Sequence, residues 1–163
     1  MAGSRIRIDV LGIGNVQRRL GNLAAAGRDL RPVFVRIGEY LVGSTKDRFK
    51  EQRAPSGAPW TPLSESYRER KPRNKFKILT LDGFLGSQIS YRASVAELLV
   101  GSDRVYAGTH RFGAKKGSFG TTSRGSPIPW GDIPARPFLG LSCEDRDVVE
   151  GMVADYLEDA VDG

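Results

Sequence analysis

The residues best suited to chemistry in this sequence are few and isolated. His110 is the only histidine and Cys143 the only cysteine among 163 residues. A nucleophilic mechanism needs a nucleophile, a base and a group that orients the base, and the segment around His110, YAGTHRFG, contains no such set. The charges of Glu144 and Asp145 oppose a reactive thiolate at Cys143. The sequence therefore predicts a protein that is not an enzyme, with His110 as a structural residue.

Metal and nucleotide sites are disfavoured on the same grounds. One cysteine excludes an internal disulfide, and one cysteine with one histidine cannot complete a Cys/His zinc site. Gly12 and Gly14 lie between a strand-like and a helix-like segment, as in a phosphate-binding loop. However, the third glycine is out of register and no Lys-Ser or Lys-Thr follows. We therefore expect no cofactor and no metal.

Charge is distributed unevenly along the chain. The net charge is +6, yet Glu144 to Asp162 contains eight acids and the single base Arg146, which leaves +13 on the remainder. Such asymmetry affects association more than fold. One set of bases lies in two loop-like segments and could contact DNA or an acidic partner: Arg68, Arg70, Lys71, Arg73, Lys75, Lys77, Lys115 and Lys116. The alternative is that these segments are solvated, mobile loops.

Hydrophobic periodicity predicts the elements that position these residues. Arg5 to Leu11 alternates like a strand, and Val16 to Ala26, with Asn15 as a cap, has helical spacing. A second helix should run from an N-cap at Asp29 to about Gln52, with Arg48 on its polar face. A last helix should follow a capping box formed by Ser142 and Asp145. Its apolar stripe comprises Val148, Val149, Met152, Val153, Tyr156, Leu157 and Ala160.

The middle of the chain is less regular. Trp60 and Leu63 should attach a Pro/Gly-rich loop to the body, while Leu81, Phe84 and Leu85 should anchor a turn. Two β-prone runs, residues 88–93 and 95–100, predict an antiparallel hairpin that turns at Ala93-Ser94, with Ile89, Tyr91 and Ala93 on one face. Residues 105–112 fit either a helix or a strand.

The predicted fold class is α+β, with N-terminal helices and a C-terminal helix on a small antiparallel sheet. We expect a single domain, residues 1–163, with flexible loops at 65–78 and 114–126. No apolar run approaches the ~20 residues that a bilayer requires, and the N-terminus lacks the apolar core of a signal peptide. The chain is therefore expected to stay in the cytoplasm.

The segment IPARPFLG, Ile133 to Gly140, predicts a stiff connector. Pro134 and Pro137 restrict their own φ and hold the preceding residues in extended conformations. Phe138 should then reach the core. Arg136 cannot fold away, so we expect a bidentate contact with a carboxylate, either in the same subunit or in the acidic helix of a neighbour.

Four stretches, in this order, resemble the phage virion morphogenesis family, also called tail completion. They are FKEQRAPSGAPWTPLS from Phe49, KILTLDGFLGSQISY from Lys77, LLVGSDRVYAGTHRFG from Leu98 and IPARPFLGLS from Ile133. The resemblance covers about two thirds of the chain. It departs from the family pattern at Leu81-Asp82-Gly83, where Thr-Gly is commoner, and at Arg111, where glutamine is frequent.

The resemblance implies a non-enzymatic virion component at the head-tail junction, a neck or connector protein that forms a homo-oligomeric ring around the DNA channel. Implied partners are further copies, as a hexamer or dodecamer, the portal-side, tail-tube or terminator proteins, and genomic DNA by weak electrostatic contact, with no membrane. The implied location is the virion, after assembly in the host cytoplasm. Candidate subunit-interface residues are Arg136, Phe138, Glu158 and Asp159, because a basic body and an acidic helix suit unlike, head-to-tail surfaces.

Two other functions are open from the sequence. A stand-alone, sequence-independent nucleic-acid-binding protein is favoured by the net charge, although no helix-turn-helix, zinc-finger or RNP-like pattern supports it. An enzyme that uses His110 would need a concave pocket with a second titratable group beside that histidine.

Overall fold

The structure, a computed structural model, describes residues 13–162. The predicted strand at Arg5 to Leu11 lies outside the described residues. The elements are α1 (Ile13–Arg28), α2 (Arg31–Glu51), α3 (Glu65–Arg70), α4 (Phe84–Ser87), β1 (Ile89–Ala93), β2 (Leu98–Ser102), α5 (Ala107–Phe112) and α6 (Cys143–Asp162).

The predicted α+β class is confirmed, with helices predominating. The two strands form an antiparallel hairpin, α2 packs against both of them, α6 packs against α2, and α1 packs against α6. The N-terminal and C-terminal helices thus stack in layers on the small sheet. Residues 105–112, which the sequence left open, contain helix α5.

Helix α2 is the central element, and its apolar stripe is largely as predicted. Val33 and Ile37 are buried against the hairpin side. Gly38 is required here because a Cβ at this position would overlap the ring of Tyr91 in β1. Asp29 lies one residue before the N-cap and accepts a hydrogen bond from the Arg31 N–H at 3.0 Å. For α1, the predicted cap at Asn15 is wrong, because the helix already begins at Ile13.

The hairpin is confirmed, but its turn lies elsewhere. Ile89 pairs with Ser102 and Ala93 with Leu98, so the connection is Ser94 to Glu97 and not Ala93-Ser94. Ser94 closes it by accepting the Glu97 N–H at 3.0 Å on its hydroxyl. The predicted face is right: Ile89, Tyr91 and Ala93 are the more buried positions of β1.

A buried ion pair joins α2 to α6. The capping box is confirmed, since the Asp145 N–H donates to Ser142 Oγ at 3.0 Å and the Ser142 N–H donates to Asp145 Oδ2 at 2.8 Å. The same Asp145 carboxylate pairs with Arg48 and accepts the Ser44 hydroxyl at 2.6 Å. The prediction that Arg48 lies on a polar face is therefore wrong, because its guanidinium is buried and also donates to the Phe138 carbonyl at 3.2 Å.

The hydrophobic core lies between α2 and the loops that follow it. Its buried members are Trp60, Leu85, Ile89, Ala107 and Phe138. The ring of Phe49 contacts both Trp60 and Phe138, with centroids at 5.3 Å and 5.4 Å. The expectation that Leu81 and Phe84 anchor their turn is wrong, because both are exposed and Leu85 alone enters the core.

The two segments expected to be loops contain local structure. Residues 65–70 form α3, so the first is not a loop throughout. The second is part of a hydrogen-bonded ribbon, in which Ala114 bridges Ile133 and Thr121 bridges Pro127. We call residues 114–133 the ribbon. The flexibility of both segments stays a prediction.

The ion pair between Arg48 and Asp145 should make the stability pH-dependent. Burial by itself raises the pKa of Asp145, but hydrogen bonds from Ser44 and Ser142 and the charge of Arg48 outweigh it and hold the pKa below its ordinary value. The stabilisation is therefore present above the ordinary carboxyl pKa and is lost as the pH falls through the folded-state pKa. Asp145→Asn should cost about 3–5 kcal/mol at neutral pH and should lose less stability on acidification than the parent chain.

Chemical denaturation across pH measures both effects. Asp147→Asn is the matched control, because Asp147 is exposed on the same helix, and it should stay within about 0.5 kcal/mol of the parent chain. An Asp145→Asn variant with parental stability at neutral pH would contradict the role given to this pair.

Candidate functional site

The IPARPFLG connector is held by hydrogen bonds to α5 and to the PWTPLS loop. Its Arg136 N–H donates to the His110 carbonyl at 2.9 Å, and Trp60 Nε1 donates to the Pro137 carbonyl at 2.7 Å. Phe138 is 0% exposed and belongs to the hydrophobic core. Gly113, with φ 77°, lies so close to the connector that a Cβ would be 2.7 Å from the Ile133 carbonyl oxygen. The motifs YAGTHRFG, PWTPLS and IPARPFLG therefore form one structural unit.

The structure corrects two expectations for this connector. The expected carboxylate partner of Arg136 is not found within residues 17–162 of the subunit, where Nε donates to the Thr61 carbonyl at 2.8 Å and Nη2 to the Pro62 carbonyl at 3.2 Å. The alternative, a carboxylate of a neighbouring subunit, stays a prediction. Phe138 has no accessible surface, so it is unavailable for the predicted subunit contact. Arg136 itself is 6% exposed, and it forms part of the lining of a surface groove.

Arg136 lies in a groove of about 820 Å³ that the sequence did not predict. Apolar side chains form most of the lining, including Leu63, Leu81, Phe84 and Trp130. Its ionisable members besides Arg136 include Lys71, His110, Asp82 and Asp132. Trp130 is 74% exposed at the groove. We call this feature the apolar groove. It brings together the PWTPLS loop, α3, the turn before α4, α5 and the end of the ribbon.

His110 lines this groove, as an enzymatic role would require, but its neighbours do not suit catalysis. Burial, and then the charge of Arg136, lower its pKa, so the ring is neutral at neutral pH. Its Nδ1 is buried without a hydrogen-bond partner among the described residues. Arg136, which lies near it, is a cation, and the Tyr106 ring packs edge-on against the imidazole with centroids 5.9 Å apart. No side chain in residues 17–162 is recorded as hydrogen-bonded to the imidazole.

The eight candidate contact bases have different environments. Arg73 pairs with Asp82 and Lys115 with Asp132, both at 2.9 Å, while Arg68 lies 3.7 Å from Glu65 and over the Phe76 ring. Four of these bases are exposed, and their side chains have no recorded contact with a carboxylate in the described part of the chain: Arg70, Lys75, Lys77 and Lys116.

Lys71 is the exception and cannot serve as a DNA contact. It is 3% exposed, and its Nζ donates to the carbonyls of Asn74, Lys77 and Thr80 at 2.8, 2.6 and 2.7 Å. These bonds use all three ammonium protons. The expectation of an external contact is therefore wrong for Lys71, which instead organises the segment from residue 71 to residue 80.

The acidic helix α6 presents Glu158 and Asp159 at its exposed carboxyl end. Neither has an ion-pair partner in the part of the chain that the structure describes. Asp162 differs, because Arg19 of α1 pairs with it and also donates to the Val161 carbonyl at 3.1 Å. Part of the unfavourable charge at this helix end is thus compensated within the subunit, and Glu158 and Asp159 are left over.

Neither a metal centre nor a membrane segment is found among residues 13–162. No group of three or more His, Cys, Asp and Glu side chains there is close enough to hold a metal ion. None of the helices in this range has the length and apolar character needed to cross a bilayer.

Comparison with known proteins agrees with this arrangement of motifs. The model of the phage virion morphogenesis family matches residues 12–158. The chain belongs to this family.

Two curated relatives are similar over most of their length. Tail completion protein S of Escherichia phage P2 is 30% identical over 141 residues, which is 84% of this chain and 89% of the relative. Protein G of Escherichia phage Mu, whose name refers to capsid assembly, is 31% identical over 133 residues, 79% of this chain and 80% of the relative. No solved structure matches the chain. The resemblance inferred from the four motifs is confirmed, and a virion morphogenesis role argues against an enzyme.

Lys71, the buried lysine that directly follows α3, provides a test of how the basic segment is ordered. Lys71→Met should remove the three carbonyl contacts, leave those carbonyls unsatisfied and lower the stability by about 1–3 kcal/mol. Hydrogen-deuterium exchange should become faster in residues 71–80.

The matched controls are Lys75→Met and Lys77→Met, because both side chains are exposed in the same segment. They should leave the exchange rates and the stability near those of the parent chain. Equal effects for all three lysines would show that Lys71 has no special structural role.

Proposed function

We propose that this protein is a non-enzymatic structural component of a tailed-phage virion that acts at the head-tail junction. There it forms a homo-oligomeric ring, a hexamer or dodecamer, around the DNA channel. The observation that carries the proposal is the match to the virion morphogenesis family over residues 12–158, together with the likeness to a tail completion protein.

The charge distribution supports a ring. Residues 144–162 carry a net charge of −7 and the rest of the chain +13. A ring requires two unlike surfaces on each subunit, since one surface of a subunit meets a different surface of the next. The exposed acids at the end of α6 and the bases around α3 and the ribbon supply such a pair.

The same architecture suits a neck protein. Helices α2 and α6 are held together by a buried ion pair, while α3 and the ribbon extend the surface with exposed bases. We propose that these parts contact portal-side, tail-tube or terminator proteins. Bases that face the channel would contact the genome weakly, so that DNA can slide past.

Loss of the gene should produce complete heads and complete tails that fail to join. Purified protein added to such an extract should restore infectious particles, and its density should form a ring at the junction in reconstructed virions. Particles that assemble normally without the protein, or density elsewhere in the virion, would contradict the proposal.

DNA binding distinguishes the connector from a stand-alone nucleic-acid-binding protein. For a connector, the isolated chain should bind duplex DNA only in the non-specific range, about 10⁻⁴ to 10⁻⁶ M at physiological salt. Lys75→Ala with Lys77→Ala should reduce the slope of log K against log salt by about 1 for each lost phosphate contact.

Fluorescence anisotropy at several salt concentrations measures both quantities. Glu65→Ala with Glu69→Ala is a control in the same segment, because it removes acids and should not weaken binding. Binding by the monomer that is much tighter than micromolar at physiological salt would favour the stand-alone protein.

A further inference from the structure

We infer that the apolar groove receives the last turns of helix α6 from a second copy of the chain, with Glu158 and Asp159 directed toward Arg136 and the bases around the groove. The inference rests on the proposed ring and assigns its subunit contact. Three observations support it.

First, the groove contains positive charge that the subunit does not neutralise. Two carboxylates also line it, but Asp82 is paired with Arg73 and Asp132 with Lys115. Lys71 and Arg136, the cations of the lining, donate only to neutral backbone carbonyls. The wider surroundings are basic, because residues 62–85 and 104–136, which include the lining residues but extend beyond them, contain twelve bases and four acids, a net charge of +8. A buried charge without a counter-charge is costly, so an incoming carboxylate would be stabilised here.

Second, Arg136 retains donors for that carboxylate. Its Nε and Nη2 are engaged by Thr61 and Pro62, but Nη1 has no recorded hydrogen bond among residues 17–162. The two bonds to the PWTPLS loop hold the guanidinium in one orientation. A pre-oriented guanidinium with free N–H groups suits recognition of a carboxylate.

Third, the last turns of α6 have the complementary chemistry. Glu158 and Asp159 are exposed at a helix carboxyl end, where the helix dipole disfavours acids. Leu157 and Val161, beside them, are only partly buried in the isolated subunit. The segment therefore offers carboxylates and apolar surface together, as an apolar groove with basic surroundings requires.

The occupant must be another copy and not the same one. No residue of α6 lines the groove, and Arg19 holds the end of α6 against α1. One chain thus carries a groove at one place and its complement at another. A contact between them is head-to-tail, and repetition closes a ring or continues as a filament. Duplex DNA is a less suitable occupant, because phosphates gain nothing from Leu63, Leu81 and Trp130.

Two variants each disable one side of the contact. Trp130→Glu places an acid at the groove, and Glu158→Lys with Asp159→Lys reverses the helix end. The controls are Phe112→Glu, since Phe112 is 73% exposed and outside the groove lining, and Glu150→Lys with Asp155→Lys on the same helix. Sedimentation velocity of the full chain across concentration measures assembly, and circular dichroism checks folding.

Each disabling variant alone should self-associate about tenfold or more weakly than the parent chain, and both controls should assemble normally. An equimolar mixture of the two disabling variants retains one intact groove and one intact helix end. It should therefore form dimers of one copy of each variant and nothing larger. High salt should weaken the parent assembly, because exposed parts of the contact are screened.

Other outcomes overturn the inference. They are normal assembly of either disabling variant, a mixture that stays monomeric, a parent chain that is monomeric at every concentration, or DNA binding that Trp130→Glu abolishes while assembly is unchanged. Failure of the groove contact can be distinguished from failure of the proposed function. A ring at the junction with normal assembly of both variants rejects the groove contact alone, whereas variant-sensitive assembly with density elsewhere in the virion rejects the location alone.

Discussion

The ion pair between Arg48 and Asp145 is the contact on which the rest of the structure depends. Asp145 belongs to the capping box that begins α6, and Arg48 belongs to the last turns of α2. Arg48 also donates to the Phe138 carbonyl, so one guanidinium fixes two helices and the connector between α5 and α6. Separating a buried pair would leave an uncompensated charge, so Arg48 and Asp145 stay in contact. This contact therefore fixes the first turn of α6 against α2.

Three buried cations perform the same physical task in different places. Arg48, Lys71 and Arg136 all donate to backbone carbonyls, in the connector, in the basic segment and in the PWTPLS loop. Much of residues 52–83 and 113–142 lies outside helices and the hairpin, so many carbonyls there, apart from those paired in the ribbon, have no regular backbone partner. A long side chain with several N–H groups satisfies two or three of them at once. The basic composition of this chain therefore serves its loops as well as its surface.

Because some basic side chains bind loop carbonyls and others lie on the surface, a base in the sequence does not by itself reveal its role. Features that depend on local patterns were easier to predict. Helices α2 and α6, the capping box of Ser142 and the buried face of β1 follow from local periodicity and hydrogen bonding, and all were predictable. The role of Arg48 was not, because the tertiary fold brings its partners Asp145 and Phe138 to it. The role of Lys71 was not either, because its three carbonyl partners, although within nine residues, lie on an irregular backbone that no periodicity encodes. The hairpin turn was misplaced because Ser94 to Glu97 carries no Gly or Asn to mark it. The groove has five separate segments as walls, and no local pattern encodes it.

The acids at the two ends of α6 differ in their electrostatic environment. Glu144 and Asp145 lie at the amino end, where the dipole favours negative charge and Asp145 closes the cap. Glu158 and Asp159 lie at the opposite end, where the dipole opposes them and Arg19 compensates only Asp162. Fold stability therefore accounts for the first pair of acids but not for the second. Since the first turn of α6 is tied to α2 by a buried pair, the helix presents its uncompensated end in a defined direction, as a repeating subunit contact requires.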